Sequence, residues 1–306
     1  MSTKPVASST TQLQRYHHRR GQGSGRIVSG VGVMIFMLLL GAYFLFPLLW
    51  LLVASTKSTT ELFSTPMLGL AKEVHFWNNL RDLTLENNGL YWRWYLNSIV
   101  YSTAVASGAT LISALAGYAL AKYNFVFKQT AFMLVLISLL VPGAALSVPI
   151  FLLVRASGMV NTYFAVIVPL LISPFGVYFM NVYIGESMPT ELINSGRVDG
   201  ASEFQIFLRI AMPIIRPGLL TLFLIAFIGA WNNFFLPLLV VSDPNLLPLT
   251  LGINIWVSTI SASTNKIPPY PFIMMGSLLS VLPMVVLFPV LRKQIAAGLI
   301  TGGLKM

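Results

Sequence analysis

The sequence predicts an all-α integral membrane protein with six transmembrane helices and both termini in the cytoplasm. Three observations carry that expectation. Of 306 residues, 56% are hydrophobic and only 9% are charged, with a mean hydropathy of +0.78, whereas soluble domains carry about 25% charged residues. Six charge-free stretches each exceed the ~20 residues a helix needs to cross the hydrocarbon. With the N-terminus inside, 13 of the 19 Lys and Arg fall on the cytoplasmic side, the asymmetry that orients membrane proteins.

Residues 1–26 are polar and basic, with Lys4, Arg15, Arg19, Arg20 and Arg26 among Ser, Thr, Gln and Gly, and read as a disordered cytoplasmic tail. A basic start before an apolar run imitates a secretory signal, but residues 27–56 hold no charge and far exceed a signal core of about 7–15 residues. They read as the first transmembrane helix. An extracytoplasmic segment follows over 57–93, in which Trp77 and Trp92, with Trp94 beside them, suit a membrane-interface belt.

The core spans 94–295. Its charge-free stretches are Trp94–Ala121, Gln129–Val154, Ala156–Gly185, Pro217–Ser242 and Ile267–Leu291. Only helices satisfy their own backbone at this length in lipid, and the prolines inside them (142, 149, 169, 174, 237 and 283) read as kinks. Arg155 alone separates two of the stretches and predicts a tight outside turn there. Residues 242–271, with Asp243-Pro244-Asn245 and Pro268-Pro269-Tyr270-Pro271, read as a shaped outside loop. Residues 296–306 form a cytoplasmic tail.

The spacing excludes much chemistry. There is no cysteine, hence no disulfide and no thiolate nucleophile or ligand. His17 and His18 lie in the basic tail without acidic or cysteine partners and read as solvated, so no metal site is expected. No G-x-x-x-x-G-K-[ST], H-E-x-x-H or G-x-S-x-G motif occurs, which removes a phosphate-binding loop, a zinc protease and a nucleophile elbow. No predicted span contains Asp, Glu, Lys or Arg. That disfavours carboxylate-coupled secondary transport and an intramembrane enzyme, though carbonyl-bound sodium stays open. No catalytic residue or cofactor is expected in this chain. The net charge of +10 follows the topology and fits anionic lipid rather than nucleic acid. Neutral polar groups in the spans read first as helix–helix hydrogen bonding. Trp231-Asn232-Asn233 is the candidate pathway segment, because amides and aromatics suit sugar hydroxyls and rings.

The longest polar interruption in the second half is Glu186–Arg216, ESMPTELINSGRVDGASEFQIFLRIAMPIIR. Pro189, Thr190 and Glu191 open a short helix, with an acid where the dipole favours one. Asp199-Gly200 breaks it. Ser202-x-x-Gln205 is a capping box that opens a second helix, with Phe204, Phe207, Leu208 and Ala211 on one face and Pro213 and Pro217 ending it. Asp199, Gly200, Ala201, Phe207, Ile210 and Pro213 stand at the spacing of the EAA-type cytoplasmic loop, and the stretch resembles that loop of ABC importer permeases. Asn194, Ser195 and Gly196 stand where that family usually has Glu, Ala and Ala.

The resemblance covers most of the chain, through Phe46-Pro47-Leu48-Leu49-Trp50, Asn97-Ser98, residues 116–121, Trp231-Asn232, Pro248-Leu249-Thr250 and the C-terminal G-L-x-x-G-x-x-K. The group it resembles is the maltose-type (MalG-like) carbohydrate permeases with the MetI-like, type I importer fold. The resemblance implies a prokaryotic cell-membrane subunit that couples through Glu191, Asn194, Ser195, Gly196, Asp199, Gly200, Ala201 and Phe207 to an ATPase. It implies a second related permease, two ATPase subunits that bind ATP and Mg, and an extracytoplasmic solute-binding protein. Gly298, Gly302, Gly303 and Lys305 are expected to add a tail contact to the ATPase. A sugar is the expected substrate. Another small polar solute such as glycerol 3-phosphate, or a membrane scaffold that needs no ATPase, stays open.

Overall fold

The computed structural model describes the backbone of residues 10–262 and 270–289 and the side chains of residues 31–259 and 270–289, and every regular element among them is helical. In chain order these are α1 (Thr10–Ala54), α2 (Thr59–Ser64), α3 (Phe76–Leu85), α4 (Leu90–Lys122), α5 (Lys128–Leu140), α6 (Gly143–Ala156) and α7 (Tyr163–Leu170). Then come α8 (Pro174–Ser187), α9 (Thr190–Val198), α10 (Glu203–Ile206), a π turn (Phe207–Ala211), α11 (Met212–Trp231), α12 (Phe235–Val240), α13 (Leu249–Ala262) and α14 (Tyr270–Ser280).

Four helices among the described residues are long and apolar enough to cross a membrane: Val31–Ala54, Phe76–Lys122, Glu203–Trp231 and Tyr270–Pro289. Two bent pairs, α5 with α6 and α7 with α8, bring the number to six if each is one span. Proline sets both bends. A residue before proline is pushed out of the α region, and Val141 (ψ 119°) and Ser173 (ψ 97°) are both extended. The first bend is 108° and the second 40°. At the second, Ser173 accepts the Gly176 N–H and Pro174 starts α8, where its missing donor costs nothing.

The centre is α4, packed against α8 and α11. Small residues permit it. A side chain at Gly117 on α4 would fall 2.7 Å from Met180 Cβ on α8, and where α11 meets α8 one at Gly218 would fall 2.6 Å from the Tyr183 ring. Small residues at a crossing let backbones approach, which is how helices associate where lipid removes the hydrophobic drive. By contrast α1 lies outside this bundle, largely exposed, and touches it through α14. Its helix continues N-terminally to Thr10, into the segment expected to be a tail.

Two cores result. One joins α4, α11, α12, α13 and α14 around Tyr91, Trp94, Trp231 and Trp256. The other joins the far end of α4 to α8 and the loop that follows it, through Tyr118, Met180, Ile184, Ile193, Ile206 and Phe207.

Three expectations are corrected. The turn after the second bent pair's predecessor is not at Arg155, which lies in the last turn of α6; it runs through Gly158 (φ 68°) and Asn161 (φ 61°) to Thr162. Trp94 is no interface residue: its ring is buried and its Nε1–H donates to Pro244 O at 2.7 Å. Pro213 and Pro217 do not end the second loop helix. Met212 N–H bonds Phe207 O, five residues back, and that wide turn absorbs Pro213 at the start of α11.

Candidate functional site

Two regions combine polar groups, exposed apolar side chains and broken helices. The first is the loop between α8 and α11. It opens where Met188, before Pro189, turns extended (ψ 107°), and its carbonyl accepts from the Lys122 ammonium at the end of α4. α9 stops at Asp199, and Gly200 adopts φ 79°, a left-handed conformation that glycine takes without steric cost. A side chain at Gly200 would meet open space, so the backbone angle rather than crowding requires glycine. Ser202 and Gln205 then form the reciprocal capping box read from the sequence.

The second loop helix buries a different face from the expected one. Ile206, Phe207, Ala211 and Ile215 face inward, while Phe204 and Leu208, expected on the same face as Phe207, are exposed. The buried face is centred on Ile206, Phe207, Ile210 and Ala211, turned from the one that Phe204 and Leu208 would share. Phe207 packs on Tyr118 with ring centroids 5.2 Å apart. Gly196 is buried against the same helix, where a side chain would fall 2.9 Å from Ile210 Cδ1 and 3.1 Å from Ile206 Cγ1. Of the residues expected to couple, Glu191, Asn194, Ser195, Asp199 and Gly200 are exposed, Ala201 is half-buried, and Gly196 and Phe207 are turned inward. Val198, Phe204 and Leu208 leave large apolar surface exposed beside them.

Sequence reasoning missed one group here. Glu203 receives the Arg197 Nε–H at 2.6 Å and Nη2–H at 3.2 Å, and the Tyr123 hydroxyl at 2.5 Å. Arg197 Nη1 also reaches Asn194 Oδ1 at 3.3 Å, and its guanidinium lies 5.9 Å from the Tyr123 ring centroid. Burial, then the bond to Glu203, pushes the Tyr123 phenol above its ordinary range. Tyr123 is 80 residues from Glu203 in sequence, so no local pattern signals the contact.

The second region is a cleft of about 410 Å³ beside the break between α7 and α8, lined by Ser138, Ser173, Phe175, Gly229 and Asn233 among others. Irregular backbone at such depth is tolerated where it lines a cavity. The Trp231-Asn232-Asn233 segment does not act as one unit. Trp231 is buried and stacked on Phe227, Asn232 is exposed with its amide donating to Ile228 O at 3.0 Å, and only Asn233 lines the cleft. Ser138 and Ser173 join it, and the Ser173-Pro174 cap was the available sequence sign. Asn97 serves structure, donating to Asn245 O at 2.8 Å and Leu247 O at 3.0 Å. Gly298, Gly302, Gly303 and Lys305 lie outside the described residues.

A family model described as binding-protein-dependent transport system inner membrane component matches residues 109–300. The chain is 34% identical over 267 residues to the arabinooligosaccharides transport system permease protein AraQ of Halalkalibacterium halodurans, covering 85% of this chain and 91% of that one. It is 29% identical over 269 residues to the sn-glycerol-3-phosphate transport system permease protein UgpE of Escherichia coli, covering 86% and 94%. In fold it resembles a chain in the crystal structure of a bacterial ABC transporter involved in the import of the acidic polysaccharide alginate. The TM-score is 0.74 at 18% identity, over 95% of this chain and 99% of that one.

Proposed function

Because the chain belongs to the family of binding-protein-dependent transport system inner membrane components, we propose that it forms half of the translocation pathway of an ABC importer for a di- or oligosaccharide. It is a transport subunit of the inner membrane, and permeases of this family work with ATPase and solute-binding partners. In the reading advanced here there are six spans, with both termini and the 186–216 loop cytoplasmic. A second related permease completes the pathway, and two ATPase subunits bind the ATP and Mg.

One observation carries the coupling part of this reading. The loop is built, capped and packed from within through Ile193, Ile206 and Phe207, yet leaves Val198, Phe204 and Leu208 bare. A folded loop that exposes apolar side chains next to polar ones is a protein-docking surface in the making. The ATPase is its proposed occupant, with Glu191, Asn194, Ser195, Asp199 and Gly200 toward it and Gly196, Ala201 and Phe207 as support. Gly298, Gly302, Gly303 and Lys305 are proposed as a second contact, to be tested by deleting residues 298–306 and measuring ATPase association.

In the membrane, Asn233 with Ser138 and Ser173 is the proposed pathway surface, since neutral amide and hydroxyl groups suit a sugar and leave no fixed charge to trap it. Nucleotide binding changes transport only through its differential affinity for two permease states. ATP closure would therefore draw the loops together and rock the two permeases between inward- and outward-facing arrangements.

The glycerol-phosphate relative supports a second reading, import of a small phosphorylated polyol. Thermal-shift measurement of the cognate binding protein with an arabino-oligosaccharide and with glycerol 3-phosphate separates the two. Stabilisation by the sugar, followed by ATP-dependent uptake of it into proteoliposomes holding the whole complex, is the expected outcome. Stabilisation by glycerol 3-phosphate alone overturns the sugar reading.

A further inference from the structure

We propose that Tyr123, Arg197 and Glu203 form a tie that fixes the two short loop helices against each other and fastens them to the end of α4, so that the loop and the α4 span move as one body. The inference rests on the importer reading above and specifies how motion of its loop reaches the membrane.

The geometry has two parts. Arg197 ends α9 and Glu203 begins α10, and their paired bonds of 2.6 and 3.2 Å span the left-handed bend at Gly200. A two-point contact between planar groups fixes an angle as well as a distance. It is also the one ion pair among the described residues. Tyr123 then crosses from another element. It is the residue after α4, and its hydroxyl donates to the same carboxylate at 2.5 Å while its ring lies under the guanidinium.

The tie does not work alone. Tyr123 packs edge-on against Tyr118 at 5.6 Å, Tyr118 packs on Phe207 at 5.2 Å, and Lys122 bonds Met188 O where the loop begins. These contacts link the end of α4 to the start, middle and end of the loop. α4 is in turn the helix most extensively packed against α8 and α11. Force applied to α9 or α10 thus reaches the bundle centre through a path with no unpacked step. The charged groups themselves are about half exposed, with side chains 42% and 49% accessible. Their loss should therefore spare folding, since exposed pairs contribute little to stability, and show instead in coupling. All three are positioning residues.

The test uses the full complex with its partner permease, ATPase pair and binding protein in proteoliposomes. The chain has no cysteine, so spin labels at the exposed positions Leu192→Cys on α9 and Leu115→Cys on α4 report one distance. In the wild-type background that distance should stay single and narrow with and without ATP. Tyr123→Phe and Glu203→Gln should each broaden it, and should each lower arabinotriose uptake per ATP hydrolysed by about 5-fold, the low end of inter-site coupling. Tyr123→Phe in the Glu203→Gln background should cost nothing further. An unchanged distance distribution and unchanged uptake per ATP in both variants overturn the tie. So does loss of ATPase association, because the group would then serve assembly rather than coupling. A wild-type complex that hydrolyses ATP yet imports no sugar, while its labels stay rigid, would instead count against the importer reading, and the tie would lose its coupling role with it.

Discussion

The ring of Trp94 occupies the space that a side chain on Gly252 would need: a Cβ built there falls inside the indole. The two rings of Trp94 and Trp256 then lie 4.5 Å apart, and the Trp94 Nε1–H reaches Pro244 O. Glycine at 252 is thus a condition for the aromatic core that joins α4 to α13.

Gly252→Ala should therefore destabilise the protein by about 1–3 kcal/mol, as overpacking does. Gly229→Ala is the control, because nothing lies within 4 Å of its would-be side chain. It should be neutral or stabilising by up to about 1 kcal/mol, since alanine loses less backbone entropy in a helix. Thermal unfolding of the detergent-purified protein checks both, and equal effects from the two would refute the packing argument.

Asn97 should prove to be a scaffold residue. Its amide donates to two carbonyls of the 243–249 turn, and Tyr163 donates to its Oδ1 at 2.6 Å. Asn97→Ala removes the partner of three groups, of which the Leu247 carbonyl is buried, at about 1–3 kcal/mol for a group not rehydrated. Faster proteolysis within residues 242–248 is the expected readout, with sugar affinity of the complex unchanged. Altered affinity with an intact turn would point to substrate contact instead.

The loop glycines should fail in different ways. Gly196→Leu collides with Ile206 and Ile210, so it should part α9 from the π turn and uncouple ATP hydrolysis from uptake. Gly200 meets no neighbour but holds φ 79°. Gly200→Asn should then be milder than Gly200→Val, by roughly 1–2 kcal/mol of backbone strain, and Gly200→Asp should lose transport through its charge at the proposed docking face while remaining inserted. Uptake and ATPase rates measured together decide this, and matched rates for Asn and Val would remove the backbone argument.

The capping box of Ser58 and Glu61 should be sensitive to acid. Backbone N–H groups of Ser58 and then Lys72 hold the Glu61 carboxyl below its ordinary value. A carboxyl depressed in the folded state adds stability above its unfolded pKa of about 4.5, and that stability is lost as pH falls through the lower folded value. The difference in melting temperature between wild type and Glu61→Gln should be present at pH 7 and shrink as the pH falls below the ordinary carboxyl value of about 4.5. A difference that is constant with pH would exclude the ionised cap.

Much of this was written locally. Ser202-x-x-Gln205 made its capping box because both partners lie within one turn, and the bend at Asp199-Gly200 fell where the dipeptide stands. Long charge-free runs marked the apolar helices because burial in lipid acts on composition. Prolines were less legible. Pro142 and Pro174 break the chain while Pro149 and Pro217 lie inside helices, and the difference depends on what surrounds each freed carbonyl.

What the sequence determined by itself was therefore the class: a helical membrane chain with a capped, folded loop of importer type, since periodicity, caps and charge each act over a few residues. Tertiary structure decided which residues serve which purpose. It sent Trp231 into the core and Asn233 to the cleft, turned Gly196 and Phe207 inward, and joined Tyr123 to Glu203 across 80 residues. Packing on Tyr118 and α8 buried Ile206 and Phe207 and left Phe204 and Leu208, expected on the same face as Phe207, exposed. Such contacts depend on how helices cross, which is set by the shapes of distant small residues rather than by any local pattern.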